Sequence, residues 1–66
     1  MKLLVNGEPR EVREDITVSD LLQELKLATE RVAVEVNLAV VRKAHHAEHR
    51  LRDGDKVEVV TFVGGG

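Results

Sequence analysis

The sequence predicts an α+β fold in which a single β-sheet packs against a single helix. Short segments with the apolar and polar alternation of half-buried strands occur in the first, middle and last parts of the chain. Only one segment, near residue 20, has apolar residues at helical spacing. In a chain of 66 residues this helix can bury its apolar side only against the face of a sheet, which gives a two-layer domain.

The first element is a predicted hairpin. Lys2–Asn6 is expected to be a strand that places Leu3 and Val5 on one face. Asn6 and Gly7 form the strongest short hairpin signal, because both residues tolerate positive φ. Pro9–Arg13 is the predicted returning strand. Because proline donates no hydrogen bond to a ladder, we expect this strand at the edge of the sheet.

The second element is a predicted helix from Val18 to Leu27. Thr17 is the expected N-cap, and Asp20 completes a variant of the capping box and suits the positive end of the helix dipole. The apolar residues at i, i+3, i+4 and i+7 are Val18, Leu21, Leu22 and Leu25. This single stripe predicts that one side of the helix lies on the core.

Two or three strands are predicted after the helix. Val32–Asn37 alternates, with its three valines expected to point inward, and a short strand is expected over Ala39–Arg42. Lys43–Arg52 is polar and irregular, with room for one helical turn, and a turn is predicted at Asp53-Gly54-Asp55. Lys56–Thr61 is the last predicted strand, with Val57 and Val59 facing inward.

The order of these elements favours one topology. After a hairpin and one crossover helix, the last strand is expected to pair parallel to the first, which is the β-grasp arrangement. We therefore predict a mixed sheet of four or five strands packed on one main helix. Residues 1–61 are assigned to this domain and residues 62–66 to a flexible C-terminal tail.

Composition disfavours several classes of function. Net charge is −2 with both signs interspersed, and Phe62 is the only aromatic residue, so the sequence offers neither a basic stripe nor a stacking platform for nucleic acid. It has no cysteine, which excludes disulfides, thiol catalysis and a persulfide on its own side chains. With no apolar run long enough to span a membrane and no signal peptide, the cytosol is the expected location.

The sequence ends in Gly64-Gly65-Gly66. Glycine lacks a Cβ, so such a run is thin and can lie extended or at positive φ without steric cost. We expect it to thread a narrow channel of another protein and to present the terminal carboxylate of Gly66. Taken alone, the run would be interpreted as a frayed terminus; the rest of the sequence favours the functional interpretation.

Several short segments match a known family in order and spacing. They are Val5-Asn6-Gly7-Glu8, Thr17-Val18 with Leu21-Leu22, Val32-Ala33-Val34 with Val36-Asn37, Asp53-Gly54-Asp55 with Val57 and Val59, and the closing Gly65-Gly66. Over its whole length the chain resembles the ThiS family, the ubiquitin-like β-grasp sulfur carriers of thiamin biosynthesis. Each segment alone is common, but their order and the closing glycines make the resemblance specific.

The resemblance implies a specific chemistry for the tail. A ThiF-like adenylyltransferase, similar to the ubiquitin-activating E1 enzymes, uses Mg-ATP to convert the carboxylate of Gly66 to an acyl-adenylate. A persulfide sulfur donor displaces AMP and leaves a thiocarboxylate, and a ThiG-like thiazole synthase takes that sulfur into the thiazole ring. The chain itself is expected to be a substrate and not an enzyme, with no cofactor or metal of its own.

A docking surface for the activating enzyme is expected on the outer face of the sheet. If Leu3 and Val5 face the helix, the opposite side carries Leu4, Ala33, Val60 and Phe62. A contiguous apolar patch often marks a docking site. The alternative is that these are scattered surface residues, or that Phe62 folds onto the core.

Two clusters of polar residues are weaker candidates for a functional site. Three histidines include an i, i+4 pair that could share a metal on a helix, with Glu48 nearby; they are His45, His46 and His49. Because no further ligand is convincingly placed, we interpret them as exposed histidines.

A loose acidic cluster comprises Glu11, Glu14 and Asp15. It is interpreted as a solvated face that could meet a basic partner.

Three other functions stay open on sequence alone. The small, MoaD-like subunit of molybdopterin synthase resembles this chain in fold and in its Gly-Gly end, although that family usually has a longer chain. The others are a ubiquitin-like modifier joined to lysines of other proteins, and a regulatory or RNA-binding β-grasp module. Intact mass after incubation with ATP, an activating enzyme and a sulfur donor separates a carrier, which gains the mass of sulfur in place of oxygen, from a modifier, which forms larger conjugates, and from a module that does neither. Neighbouring genes, for a thiazole synthase or for a molybdopterin synthase large subunit, separate the two carrier families.

Overall fold

The computed structural model describes residues 1–27 and 31–61. In this part of the chain the elements are β1 Lys2–Val5, β2 Glu8–Glu11, α1 Val18–Glu24, β3 Val32–Val36, β4 Ala39–Val41, a 3₁₀ turn at Lys43–His45, and β5 Lys56–Thr61. The strands form one mixed sheet in the order β2-β1-β5-β3-β4. β5 is the central strand, parallel to β1 and antiparallel to β3. The predicted topology is therefore confirmed, with five strands.

The core lies between one face of this sheet and α1. The buried strand residues are Leu3, Val5, Val32, Val34, Val36, Val41, Val57 and Val59. The helix contributes Val18, Leu21 and Leu22, and the loops contribute Val12, Ile16 and Leu51. Burying an aliphatic side chain of this size stabilises a fold by about 1.5–3 kcal/mol relative to leaving it exposed. The alternation predicted for β1, β3 and β5 is confirmed.

The first hairpin turns at Asn6 and Gly7, whose φ angles are 51° and 83°. β2 pairs antiparallel with β1 and lies at the edge of the sheet, as its proline predicts. It ends at Glu11 and not at Arg13. One further main-chain bond, from the Val12 N–H to the Met1 carbonyl at 2.8 Å, extends the pairing of the two strands.

The helix begins where the sequence predicts. The Asp20 N–H donates to Thr17 Oγ1 at 3.1 Å, and the Thr17 N–H donates to Asp20 Oδ2 at 3.2 Å, so the capping box is complete. The hydrogen bonds that the Asp20 carboxylate accepts, first from the main chain and side chain of Thr17 and then from Arg13 Nη2 at 2.9 Å, hold the pKa of this carboxyl below its usual value. The charged carboxylate is therefore the form that caps the helix.

The helix ends earlier than predicted, at Glu24 and not at Leu27. The Leu27 N–H donates to the Leu22 carbonyl at 3.1 Å, and the Lys26 N–H donates to the Gln23 carbonyl at 3.0 Å. This is the pattern of a Schellman motif, and Lys26 adopts the left-handed conformation it requires, with φ of 59°. Glycine usually occupies that position, so the sequence carries no signal for this end.

β3 and β4 form a second hairpin, which turns at Asn37 and Leu38 with φ angles of 52° and 72°. The connection from β4 to β5 contains the 3₁₀ turn and is tied to the start of α1 by an isolated bridge between Thr17 and Arg50. Gly54, with φ of 87°, forms the predicted turn before β5. Within the described residues, the helix is too short to cross a membrane.

Candidate functional site

The candidate site begins where the central strand ends. β5 ends at Thr61, and residues 62–66 follow it in the sequence. On one side Val57 of β5 pairs with Val5 of β1, and on the other it pairs with Val36 of β3. Gly64, Gly65 and Gly66 lie outside the described residues, so their role stays a prediction. The structure defines the sheet strand from which the predicted tail starts.

Asn6 holds the part of β5 that extends past the end of β1. Its main-chain N–H donates to the Val57 carbonyl at 2.8 Å, and its side-chain Oδ1 accepts from the Val59 N–H at 2.8 Å. Because β1 ends at Val5, the side chain supplies an acceptor that the strand no longer provides. The sequence indicates a turn at Asn6 but not this contact, since nothing in a sequence separates an asparagine that only turns from one that also binds a neighbouring strand.

The structure brings together part of the predicted docking patch. Ala33 and Val60 lie directly opposite each other on β3 and β5; Val60 is 55% exposed and Ala33 is half-buried. Leu4, also half-buried, lies opposite Lys56, four residues from Val60, which is about 13 Å along a strand. Phe62 lies outside the described residues. The described part of the patch is thus the Ala33–Val60 pair, with Leu4 apart from it.

The sequence predicts that Glu58 faces outward but does not anticipate that a second carboxylate lies directly opposite it. Glu35 and Glu58 are directly opposed on β3 and β5, and Val40, which is 69% exposed, lies opposite Glu35 on β4. Neither carboxylate takes part in any of the salt bridges found among residues 1–27 and 31–61. Like charges directly opposed across strands are destabilising. Exposed valines beside such a pair suit contact with a surface that is apolar and basic.

The three histidines do not form a site. His46 is buried, against the expectation that all three are exposed; its Nε2 lies 2.9 Å from the Val41 carbonyl, to which it donates, and its own carbonyl accepts from the Ser19 N–H at 2.9 Å. His45 is exposed and His49 half-buried. No group of three or more potential ligands could hold a metal in the described part of the chain. His46 instead links β4 to the start of α1.

The acidic cluster is exposed at all three positions. Glu11 Oε2 lies 3.9 Å from the N-terminal ammonium group of Met1, at the edge of the sheet. Asp15 adopts φ of 64° in the loop before α1. Because all three carboxylates are exposed, a solvated face remains their interpretation.

A mixed five-stranded sheet on one helix, with a central last strand that leads to a glycine-rich C-terminal segment, defines the class of ubiquitin-like β-grasp proteins. The model of the ThiS family matches residues 3–66, and the chain belongs to this family. The family resemblance and the β-grasp fold expected from the sequence are confirmed.

Known relatives agree with this assignment. The chain is 38% identical over 65 residues to the sulfur carrier protein ThiS of Bacillus subtilis, a match that covers 97% of this chain and 98% of that protein. The crystal structure of the thiamine biosynthesis protein ThiS from Geobacter metallireducens has a TM-score of 0.86 and 42% identity, covering 100% of both chains. The thiazole synthase of Paramagnetospirillum magneticum is 48% identical over 66 residues. That match covers 100% of this chain but 20% of the synthase, so the chain spans about one fifth of its length.

Proposed function

We propose that this chain is a sulfur carrier protein whose C-terminal Gly66 carboxylate is adenylated, converted to a thiocarboxylate, and used as the sulfur source for thiazole formation in thiamin biosynthesis. Membership of the ThiS family and the ThiS relatives support the carrier role. The observation that carries the proposal is that the central strand, fixed on both sides, leads in sequence to Gly64-Gly65-Gly66. A rigid domain then presents a narrow peptide to its partners.

The chemistry needs an activated carboxyl group, because a carboxylate is a poor electrophile. A carboxylate oxygen of Gly66 attacks the α-phosphorus of ATP and pyrophosphate leaves, which gives the acyl-adenylate. The terminal sulfur of a protein persulfide attacks the acyl carbon and AMP leaves; a thiol then reduces the resulting acyl disulfide and releases the thiocarboxylate. The activating pocket must exclude water, which would hydrolyse the adenylate. The chain contributes the substrate carboxylate, so it acts as a carrier and not as an enzyme.

Three partners follow from this proposal. They are a ThiF-like adenylyltransferase that uses Mg-ATP, a persulfide sulfur donor, and a ThiG-like thiazole synthase. The relative in which a segment like this chain forms one fifth of a thiazole synthase supports the third partner. We place the carrier in the cytosol, where such ATP-dependent activation occurs.

We also propose that the outer face of the sheet docks the activating enzyme. The Ala33–Val60 pair supplies the apolar centre of this surface, close to the end of β5. By strand alternation, Phe62 is the next residue after Val60 that the sequence predicts on the same face, and Leu4 lies at the other end of β5. The opposed Glu35 and Glu58 favour a partner with a basic residue at the same place, because such a residue relieves their repulsion. Docking here would bring the partner next to the start of the tail.

The carrier role is tested by intact mass. The purified chain is incubated with ATP, the adenylyltransferase and a persulfide donor, and we expect a mass gain equal to the replacement of one oxygen by sulfur at Gly66. A variant lacking Gly65 and Gly66 is the control and should gain nothing. Larger conjugates would indicate a protein modifier, and sulfur delivered only to a molybdopterin synthase large subunit would indicate the MoaD-like role. An unchanged mass with an adenylyltransferase that is active on its own carrier would overturn the proposal.

The docking surface is tested by two matched substitutions. Val60→Asp introduces a charge at the centre of the patch, and we expect kcat/KM for adenylation to fall by about tenfold or more. Leu38→Asp introduces the same charge at an exposed position on the tip of the second hairpin and should leave kcat/KM unchanged, because aspartate tolerates positive φ. Equal rates for the two variants would refute the docking role without affecting the carrier role.

A further inference from the structure

A cleft lies at the end of the sheet opposite Thr61. It has a volume of about 400 Å³ and is lined by Val36, Asn37, His49, Arg50, Arg52 and Asp55. Asp55 directly precedes β5, so the cleft is about 20 Å along the strand from the point where the tail begins. Nothing in the proposed carrier chemistry uses it.

Two arginines of this cleft are held side by side by a fixed backbone. Leu51 is 3% exposed and belongs to the core, whereas its neighbours Arg50 and Arg52 are exposed and both line the cleft. The Leu51 N–H donates to the Ile16 carbonyl at 2.9 Å, and the His49 carbonyl accepts from the Val18 N–H at 3.0 Å. These bonds tie the segment to the start of the helix and fix the spacing of the two guanidinium stems.

The carboxylate of the cleft is already engaged. Asp55 Oδ1 accepts from Asn37 Nδ2 at 2.9 Å, and its Oδ2 accepts from the Arg52 N–H at 2.9 Å. Asn37 Oδ1 in turn accepts from the Lys56 N–H at 3.0 Å. Asp55 therefore stabilises the backbone of the cleft through these hydrogen bonds. None of the salt bridges among the described residues involves either arginine of the cleft.

The charge pattern of the sequence points the same way. The chain carries a net charge of −2, yet residues 49–56, which include the cleft residues from His49 to Asp55, contain three Lys and Arg residues against two Asp and Glu. Positive charge therefore exceeds negative charge around the cleft of an acidic molecule. A concave surface with an excess of one sign of charge attracts small ions of the opposite sign.

We propose that this cleft binds the phosphoryl group of a small molecule, a phosphate monoester or a diphosphate. Each guanidinium is a planar fork that donates two parallel hydrogen bonds to an oxyanion, and two forks on one face match a dianion with three terminal oxygens better than a single carboxylate. The half-buried ring of His49 adds a third polar group at the wall, and Asp55 is the one carboxylate that faces the bound anion. The site is independent of the tail and so of the sulfur-carrier proposal.

Binding is measured by ¹H–¹⁵N NMR titration of the full chain at constant ionic strength in buffer free of other oxyanions. The probes are pyrophosphate and glycerol phosphate, with malonate as a dicarboxylate that matches the charge of glycerol phosphate. We expect saturable shifts of the amides of Asn37 and of residues 49–55, with either phosphoryl compound binding at least about fivefold more tightly than malonate. Amides near Val60 should not move.

Two double variants make the test specific. Arg50→Gln with Arg52→Gln should weaken phosphoryl binding by about tenfold or more, because it removes the charged donors. Arg42→Gln with Lys43→Gln removes the same charge from the start of the β4–β5 connection, outside the cleft, and should change affinity less than about threefold. Both pairs are exposed, and the spectrum of each free variant reports its fold. Shifts that do not saturate, equal binding of malonate, or equal loss in the two double variants would overturn the proposal.

Discussion

The two hairpins of this molecule use the same backbone turn with different residues. Each has two consecutive residues at positive φ, Asn6-Gly7 in the first and Asn37-Leu38 in the second. Each asparagine also binds β5: Asn6 through Val59 and Asn37 through Lys56, in both cases with Oδ1 as the acceptor of a main-chain N–H. The two asparagines therefore hold the central strand from its two sides, near its two ends.

The difference lies in the second residue of each turn and in the surroundings of each asparagine. Glycine at position 7 fits the left-handed conformation, whereas Leu38 adopts it against its preference and is 88% exposed. The bond of Asn6 is partly buried, whereas those of Asn37 are exposed. The comparison indicates that each asparagine stabilises the fold in two ways: its backbone adopts the turn and its side chain binds β5. The contribution of the side chain is expected to be larger in the first hairpin.

The largest effect is expected at Asn6. Asn6→Gly keeps the turn but leaves the partly buried Val59 N–H without an acceptor, which should lower the free energy of unfolding by about 1–3 kcal/mol. Asn6→Ala should lower it by about 1–2 kcal/mol more, because alanine must also adopt positive φ. Urea unfolding measures both values, and hydrogen exchange should show reduced protection of the Val59 amide.

Asn6→Asp is the matched control for these variants. It retains a carboxylate oxygen as acceptor and tolerates positive φ, so most of the stability should return. If Asn6→Gly is as stable as the unchanged chain, the side chain of Asn6 does not hold β5 and the comparison loses its main basis.

A smaller effect of the same kind is expected at Asn37. Asn37→Gly removes the acceptor of the Lys56 N–H and the donor to Asp55, but water can replace both because the positions are exposed. The free energy of unfolding should therefore fall by only about 0.5–1 kcal/mol. If Asn37→Gly lowers the free energy of unfolding as much as Asn6→Gly does in the same urea series, the exposure of the hydrogen bonds does not explain the difference between the two hairpins.

The two hairpins also show how far the sequence predicts the fold. Asn6-Gly7 is recognisable because both residues favour positive φ, and the alternation of β3 and β5 and the pairing of Thr17 with Asp20 are equally local signals. Asn37-Leu38 and the helix end at Lys26 are not recognisable, because leucine and lysine adopt positive φ there only under the constraints of the surrounding chain. The sequence thus indicates turns where local preference and tertiary structure agree.

For the candidate site, the sequence identifies residue types but not their neighbours. Ala33 and Val60 are predicted on one face and prove to be opposite each other, but the strand register places Leu4 next to Lys56. The opposed Glu35 and Glu58 and the burial of His46 depend on pairing and packing over long sequence distances, which alternation alone does not specify.

The smallest predicted effect has the opposite sign and lies at Leu38. A non-glycine residue in the left-handed conformation costs about 1–2 kcal/mol, which a glycine at this position would relieve. Glycine loses more backbone entropy on folding, and this loss offsets about 0.5–1 kcal/mol of the stability gained. Because Leu38 is 88% exposed, its removal uncovers little core. Leu38→Gly should therefore raise the free energy of unfolding by up to about 1 kcal/mol, which increases Tm by a few degrees (roughly 4–8 °C per kcal/mol for a domain of this size).

Gly7→Ala is the mirror of this substitution. No atom lies within 4 Å of a Cβ added at Gly7, so its cost is conformational and should be a destabilisation of about 1 kcal/mol without a clash. Leu38→Asn, which tolerates positive φ but keeps a side chain, should fall between the unchanged chain and Leu38→Gly. A Leu38→Gly variant less stable than the unchanged chain would mean that the leucine contributes a favourable contact to the hairpin. The free energy of that contact would then exceed the conformational cost of its φ of 72°.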